Sequence, residues 1–213
     1  MPDSDSLRFW REVAARYANR PGVVFDLYNE PHDVSWSCWR KGGCTVLSST
    51  PSPLTRLPVS YRAVGMQQLY DAVRATGARN LVLVAGLDWA YDLSGVGRGY
   101  RIAGTNLAYD THVYVQWHST APDWDAHFGY LTKSYPVTAT EFGSTDCSSP
   151  VTWQLLGYFF APMGVAANSM SWTIWSWNAP GECSQPSVIA DWWGTPLMDQ
   201  GQLIHDALLY LLP

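Results

Sequence analysis

Apolar residues in this chain fall into two alternating patterns, short unbroken runs and spaced stretches, from one end to the other. Over 7–18 apolar residues recur at Leu7, Trp10, Val13, Ala14 and Tyr17, the spacing of a helix with one buried face. Ser4 or Asp5 supplies its cap, and Asn19-Arg20-Pro21-Gly22 stops it. Val23-Val24-Phe25-Asp26-Leu27-Tyr28 reads as a short buried strand. A long loop over 32–57 follows, rich in Ser, Pro, Trp and Cys. The next helix covers 61–76, with Val64, Leu69, Ala72 and Val73 inward and Gly77 past its end. A strand over 80–86, a loop over 88–105 and a strand over 107–115 come next. A helix over 124–134, begun by Asp123, leads to a strand over 136–142. Pro150 opens a helix over 151–163, a fifth strand covers 169–177, and Asp199-Gln200-Gly201 leads into a last helix over 202–212.

The strands are apolar on both faces, as in parallel sheets covered by helices on either side. The expected fold class is therefore α/β, with 1–213 forming a single catalytic-type domain. No linker, low-complexity tract or repeat beyond the βα alternation interrupts it. In such folds ligands bind at the carboxyl ends of the strands. The five predicted strands end in or run into Asn29-Glu30-Pro31, Asp88-Trp89, Gln116-Trp117, Glu141-Phe142-Gly143 and Trp175-Ser176-Trp177-Asn178.

Two carboxylates, Glu30 and Glu141, thus terminate two different strands. Glycoside hydrolysis needs such a pair: one protonated to donate to the leaving oxygen, one ionised to attack the anomeric carbon. At about 5 Å separation the negative member raises the proton affinity of its neighbour. The rival reading is a pair of ion-paired cleft residues. His112 and Tyr114 are two apart and share a face of their strand; a phenol there can hydrogen-bond a carboxylate, and a His can reach a sugar hydroxyl or remain a satisfied core residue. Asn29 and Glu30 are adjacent, so they serve one site only if the strand is irregular there, which Pro31 allows. Trp175 can form a floor for a sugar ring or pack in the core.

Composition sharpens this picture. The chain has 213 residues, 47% hydrophobic, with 12 Trp and 12 Tyr. That exceeds a core's need for rings whose N–H groups must find partners, and an excess of Trp suits stacking on sugar faces. The net charge of −5 with no basic stripe argues against nucleic acid. The longest aliphatic runs, such as Leu81-Val82-Leu83-Val84, are too short to span a membrane. The acidic start, Met1-Pro2-Asp3-Ser4-Asp5, has no signal-peptide core. Cys38, Cys44, Cys147 and Cys183 allow three pairings into two disulfides; Cys38–Cys44 would close a small loop, and Cys147–Cys183 would tie two later loops. A zinc site lacks any Cys-x-x-Cys pair or His at ligand spacing. There is no Gly-x-Ser-x-Gly elbow and no phosphate-binding lysine loop, and Gly95-Val96-Gly97-Arg98-Gly99 misses the last glycine of a dinucleotide fingerprint.

Leu27-Tyr28-Asn29-Glu30-Pro31, Asp110-Thr111-His112-Val113-Tyr114, Thr140-Glu141-Phe142-Gly143 and Trp172-Thr173-Ile174-Trp175-Ser176 resemble glycoside hydrolase family 5, the cellulase family. The resemblance runs over nearly the whole chain. It implies a (β/α)8 barrel of the TIM type and a retaining mechanism with no metal or other cofactor. It also implies Glu30 as acid/base at the end of the fourth barrel strand, and Glu141 as nucleophile at the end of the seventh. Asn29, His112, Tyr114 and Trp175 match the family's sugar-site residues. Trp36, Trp39, Trp89 and Trp117, from the loops, are further subsite candidates.

On that match only strands 4 to 8 and their helices are expected, the first three βα units being absent, with the Arg and His the family places there. A truncated gene, a misplaced start or a cut chain would explain this, and would also account for paired cysteines without an export signal in a protein secreted in full-length form. Unpaired sheet edges would then favour self-association. The expected reaction is endo-hydrolysis of a β-linked polysaccharide or oligosaccharide, β-1,4-glucan first. A mannan- or xylan-specific member is one alternative, and an inactive, sugar-binding chain of the same fold is another.

Overall fold

The computed structural model describes residues 1–48, 57–147, 149–159 and 170–211. Two compact units, Met1–Asp110 and Thr111–Pro213, divide the chain.

In the first unit, helix α1 (Ser4–Tyr17) starts earlier than its apolar spacing predicts, and Asp3, not Ser4 or Asp5, caps it. The Asp3 carboxylate accepts the Asp5 and Ser6 amides at 2.9 and 3.0 Å, and Ser6 Oγ accepts the Asp3 amide in return. Trp10 and Ala14 face inward. The Trp10 indole donates to the Leu27 carbonyl at 2.9 Å, so this buried ring satisfies its N–H while packing edge-on to Phe25. Strand β1 (Phe25–Asp26) pairs in parallel with β4 (Val82–Ala85), and β4 with β5 (Leu107–Tyr114). Phe25 lies opposite Val82, and Ala85 opposite Asp110. Amide bonds from Phe25 to Leu81 and from Leu27 to Leu83 carry the β1 pairing toward Asn29.

The stretch between β1 and β4 departs from expectation. Part of the predicted 32–57 loop is helix α2 (Trp36–Lys41) and strand β2 (Gly42–Leu47), while 49–56 lie outside the described residues. The predicted helix 61–76 is instead β3 (Ser60–Val64), antiparallel to β2, followed by a shorter α3 (Met66–Arg74). Two glycines explain the change. A Cβ on Gly65 would lie 2.4 Å from both the Arg40 carbonyl oxygen and the Gly42 nitrogen, so backbones touch where the hairpin meets α2. Gln68 Oε1 then accepts the Gly65 amide at 2.9 Å and starts α3 there. The Cys38–Cys44 disulfide ties α2 to β2.

After β4 the chain folds back within six residues, Leu87 and Asp92 exchanging amide bonds at 2.9 and 2.8 Å. Asp88, Trp89 and Ala90 are all left-handed, with φ of 54°, 53° and 69°. Gly86 is required here, because a Cβ would meet the Asp92 carbonyl oxygen at 2.2 Å. The rest of the 88–105 loop contains one π-type turn, Val96–Tyr100.

In the second unit, α4 (Ala121–His127) starts before the predicted Asp123 boundary, with Pro122 in its first turn. It does not run on to 134, but gives way at Phe128 to a 3-10 turn, Gly129–Lys133. A Cβ on Gly129 would fall 1.7 Å from the Tyr158 hydroxyl of α5 (Ser149–Phe159), which shows how closely that turn presses on the helix. Residues 160–163 of the predicted helix lie outside the described residues. Strand β6 (Val137–Gly143) pairs in parallel with β7 (Ser171–Trp172), Ala139 opposite Trp172. The predicted strand 169–177 is thus mostly unladdered, although the Thr173 and Trp175 amides still bond Ala139 and Phe142 of β6. Residue 169 is outside the described set. Helix α6 (Met198–Leu211) begins four residues before the expected start. Its first turn rests on the chain at Val188, where a Cβ on Gly201 would meet a carbonyl oxygen at 2.2 Å. Among the described residues no helix is long and apolar enough to cross a membrane.

Candidate active site

In the second unit, β5 and β6 bring three predicted residues together. Tyr114 donates its hydroxyl to Glu141 Oε2 at 2.6 Å, a short bond of the charge-assisted kind. His112 is buried and held at both ring nitrogens: Nε2 lies 3.2 Å from the Thr140 hydroxyl and Nδ1 3.5 Å from the same Glu141 oxygen. The alternation along β5 puts His112 and Tyr114 on one face, and that face meets Glu141. Glu141 is half-buried near the carboxyl end of β6, and the Val115 amide bonds the Gly143 carbonyl just beyond it. A carboxylate so oriented by a phenol is chemically a positioned nucleophile or base. Thr140 was not anticipated; its only sequence signal is its place beside Glu141. The exposed Trp175 follows on the next strand segment.

In the first unit, Glu30 lies four residues past the end of β1. Its backbone is left-handed, φ 47°, so the chain has left the extended conformation there and the strict alternation of faces no longer separates Asn29 from Glu30. Asn29 is exposed and Glu30 half-buried. Two residues on, the His32 ring stacks flat on Trp89, centroids 4.6 Å apart and planes within 5°, while its Nδ1 lies 2.9 Å from Asp33 Oδ2. This platform joins the β1 end to the left-handed turn after β4. His32 went unnoticed in the sequence because nothing local links it to a residue 57 positions away.

The loop tryptophans separate into two kinds. Trp89 and Trp117 are exposed, Trp117 lying edge-on to Tyr114 with centroids 6.2 Å apart. Trp39 is not a subsite residue: it is fully buried, and its indole donates to the Ala85 carbonyl at 2.9 Å. Trp36 is half-buried between Trp39 and Tyr100, against Gly95, where a Cβ would fall 2.0 Å from its ring. The cysteines pair as Cys38–Cys44 and Cys147–Cys183; the second bridge joins the loop after β6 to the loop after β7.

Known proteins resemble this chain in sequence and in fold. The family model for cellulase (glycosyl hydrolase family 5) matches residues 3–181. Endoglucanase Z of Dickeya dadantii is 30% identical over 67% of this chain and 28% of its own length. An endoglucanase of Paenibacillus polymyxa is 28% identical over 93% of this chain and 53% of its own. The β-glucanase SdGluc5_26A of Saccharophagus degradans, solved in complex with cellotetraose, superposes with a TM-score of 0.73 at 25% identity, over 97% of this chain and 59% of that one. This chain therefore spans between about a quarter and three fifths of the length of these relatives. Its parallel α/β fold is that of the corresponding part of family 5 enzymes, and the chain belongs to glycoside hydrolase family 5, the cellulase family.

Proposed function

We propose that this chain supplies both catalytic carboxylates of a retaining endo-β-glucanase acting on β-1,4-linked glucan. The observation that carries the reading is the Glu141 carboxylate, fixed by the Tyr114 hydroxyl at 2.6 Å. In the first step Glu141 attacks the anomeric carbon as the glycosidic C–O bond breaks, and Glu30 gives its proton to the leaving oxygen. In the second, Glu30 takes a proton from water, the water oxygen bonds the anomeric carbon, and Glu141 leaves. His112 holds the face of β5 beside the nucleophile. Asn29, Trp175, Trp89 and Trp117 bind the sugar, the amide to a hydroxyl and the rings to apolar faces. No metal has a part in these steps.

Three observations support the glucan: the family, the names of the relatives, and the cellotetraose held by the Saccharophagus degradans enzyme. The two disulfides favour an oxidising compartment, so we assign the protein to the cell exterior. A sugar-binding chain without turnover is the second reading, favoured by the exposed rings of Trp89, Trp117 and Trp175.

The test uses an aryl β-cellobioside with the parent chain, Glu30→Ala and Glu141→Ala. Each substitution should lower turnover at least about a hundredfold, and azide should restore the Glu30 variant with a β-glycosyl azide as product. The parent's first-formed product should keep the β configuration by NMR. Full rate in both variants, or an inverted product, ends the reading. Quenching of Trp fluorescence by cellotetraose without hydrolysis supports the binding-only alternative, and mannan or xylan cleaved in preference to glucan reassigns the substrate.

A further inference from the structure

Beyond β7, the second unit exposes several large rings on one short stretch. Trp192 is 67% exposed and Trp193 95% exposed, far more than a core or a settled contact within the chain would leave. They are not on a slack loop. The Asp191 carboxylate accepts the Trp193 amide at 2.9 Å and the Thr195 amide at 3.2 Å, while the Asp191 carbonyl accepts the Gly194 amide. The Ala190 amide closes the turn on the Thr195 carbonyl at 2.8 Å. Hydrogen bonds from Thr195, then from the Trp193 and Gly194 amides, hold the Asp191 carboxyl below the ordinary aspartate range, as expected where its charge organises the turn.

Gly194 is left-handed, φ +85°, and a Cβ there would touch the Trp177 ring at 3.5 Å, so that exposed indole lies against the turn. The two stretches are also joined through the backbone. Ser176 bonds Pro186 and accepts from Val188, and Gly181 bonds Ala190. A turn braced in this way fixes the backbone that carries the rings before any ligand arrives, which lowers the ordering cost of binding.

We propose that Trp177, Trp192 and Trp193, none of them among the residues placed around Glu141, form a further glucan-binding platform, whose occupant is a stretch of a β-linked glucan chain. Equatorial β-linked glucose rings present flat C–H faces to indole planes and direct their hydroxyls sideways, where exposed Asn178 and the Asp191 carboxylate edge offer polar partners. The choice of glucan rests on the function proposed above. The platform serves to hold a long polymer, so its contribution grows with chain length and is small for a disaccharide.

The test is native gel electrophoresis of the full chain through hydroxyethyl cellulose, with dextran as the control polymer. The parent and Glu141→Gln should both be retarded by hydroxyethyl cellulose and not by dextran. Trp192→Ala/Trp193→Ala should weaken the apparent affinity at least fivefold, and Trp193→Phe should restore part of it. Because Trp193 is almost fully exposed, the replacement removes little packing, and equal unfolding midpoints check that the fold is kept. Equal retardation of parent and double variant overturns the proposal. So does a double variant whose only change is a smaller particle in light scattering, which would make the patch an interface between copies. Retardation of the parent without hydrolysis keeps the platform and refutes only the catalytic reading.

Discussion

Gln200 lies fully buried in the first turn of α6, where its side chain organises the segment that follows β6. Oε1 accepts the Ser144 amide at 2.9 Å and the Thr152 hydroxyl at 3.2 Å, and Nε2 lies 3.5 Å from the Pro186 carbonyl. Gln200→Leu keeps nearly the same volume and removes the acceptor. The buried Ser144 amide then has no partner, at about 1–3 kcal/mol, and the lost Thr152 contact adds about 0.5–1.5 kcal/mol. The expected total is about 2–4 kcal/mol, a large share of the roughly 5–15 kcal/mol that holds a domain folded. In urea, at a mid-range slope of about 2 kcal/mol/M, the midpoint should fall by about 1–2 M without a change of slope. A cycle with Thr152→Val should show coupling of at least about 0.5 kcal/mol, because both changes act on one oxygen. A loss under about 0.5 kcal/mol for the single variant would refute the argument, since it would mean water reaches an amide that is inaccessible here.

Other expectations concern separate parts of the molecule. Tyr114→Phe removes the donor to Glu141 and should lower kcat/KM for an aryl cellobioside by about ten- to a hundredfold, from the roughly 1.5–3 kcal/mol of a hydrogen bond to a charged group; a change within twofold would remove Tyr114 from the nucleophile's support. Asp191 has its carboxyl lowered on folding, so its contribution is present above the unfolded value and lost as pH falls through the lower folded value. An NMR titration of that carboxyl should therefore have its midpoint below the ordinary aspartate value, and a midpoint at or above it contradicts the turn described. Gly95→Ala should cost about 1–3 kcal/mol in thermal unfolding, because its Cβ would enter the Trp36 ring. Among the described residues β1 pairs only with β4, with Val24 exposed beside it. Light scattering at micromolar concentration should therefore find oligomers, and a monodisperse monomer would contradict that.

The sheet strands were legible because their apolar runs are unbroken, but their ends were not: β1 stops at Asp26, short of Asn29-Glu30, and β6 runs past Glu141 to Gly143. Tyr114 and His112 followed from the two-residue period of a strand. The β2–β3 hairpin was not legible. Its period is short, and what defines it is contact between backbones at Gly42 and Gly65, which leaves no side-chain pattern to read. Helix starts were misplaced where the cap lies upstream of the first apolar residue, as Asp3 does for α1. Trp39 and Trp89 look alike in the sequence. One satisfies its indole on Ala85 in the core, the other rides an exposed left-handed turn, and only long-range packing separates them.

The left-handed backbone at Glu30 has a consequence for how this position tolerates change. A non-glycine residue there gives up about 1 kcal/mol that glycine would not, so whatever the glutamate side chain contributes has to outweigh that deficit. Glycine at position 30 would relax the main chain and delete the carboxylate in one change, and the sign of the resulting shift in unfolding midpoint tells which of the two weighs more.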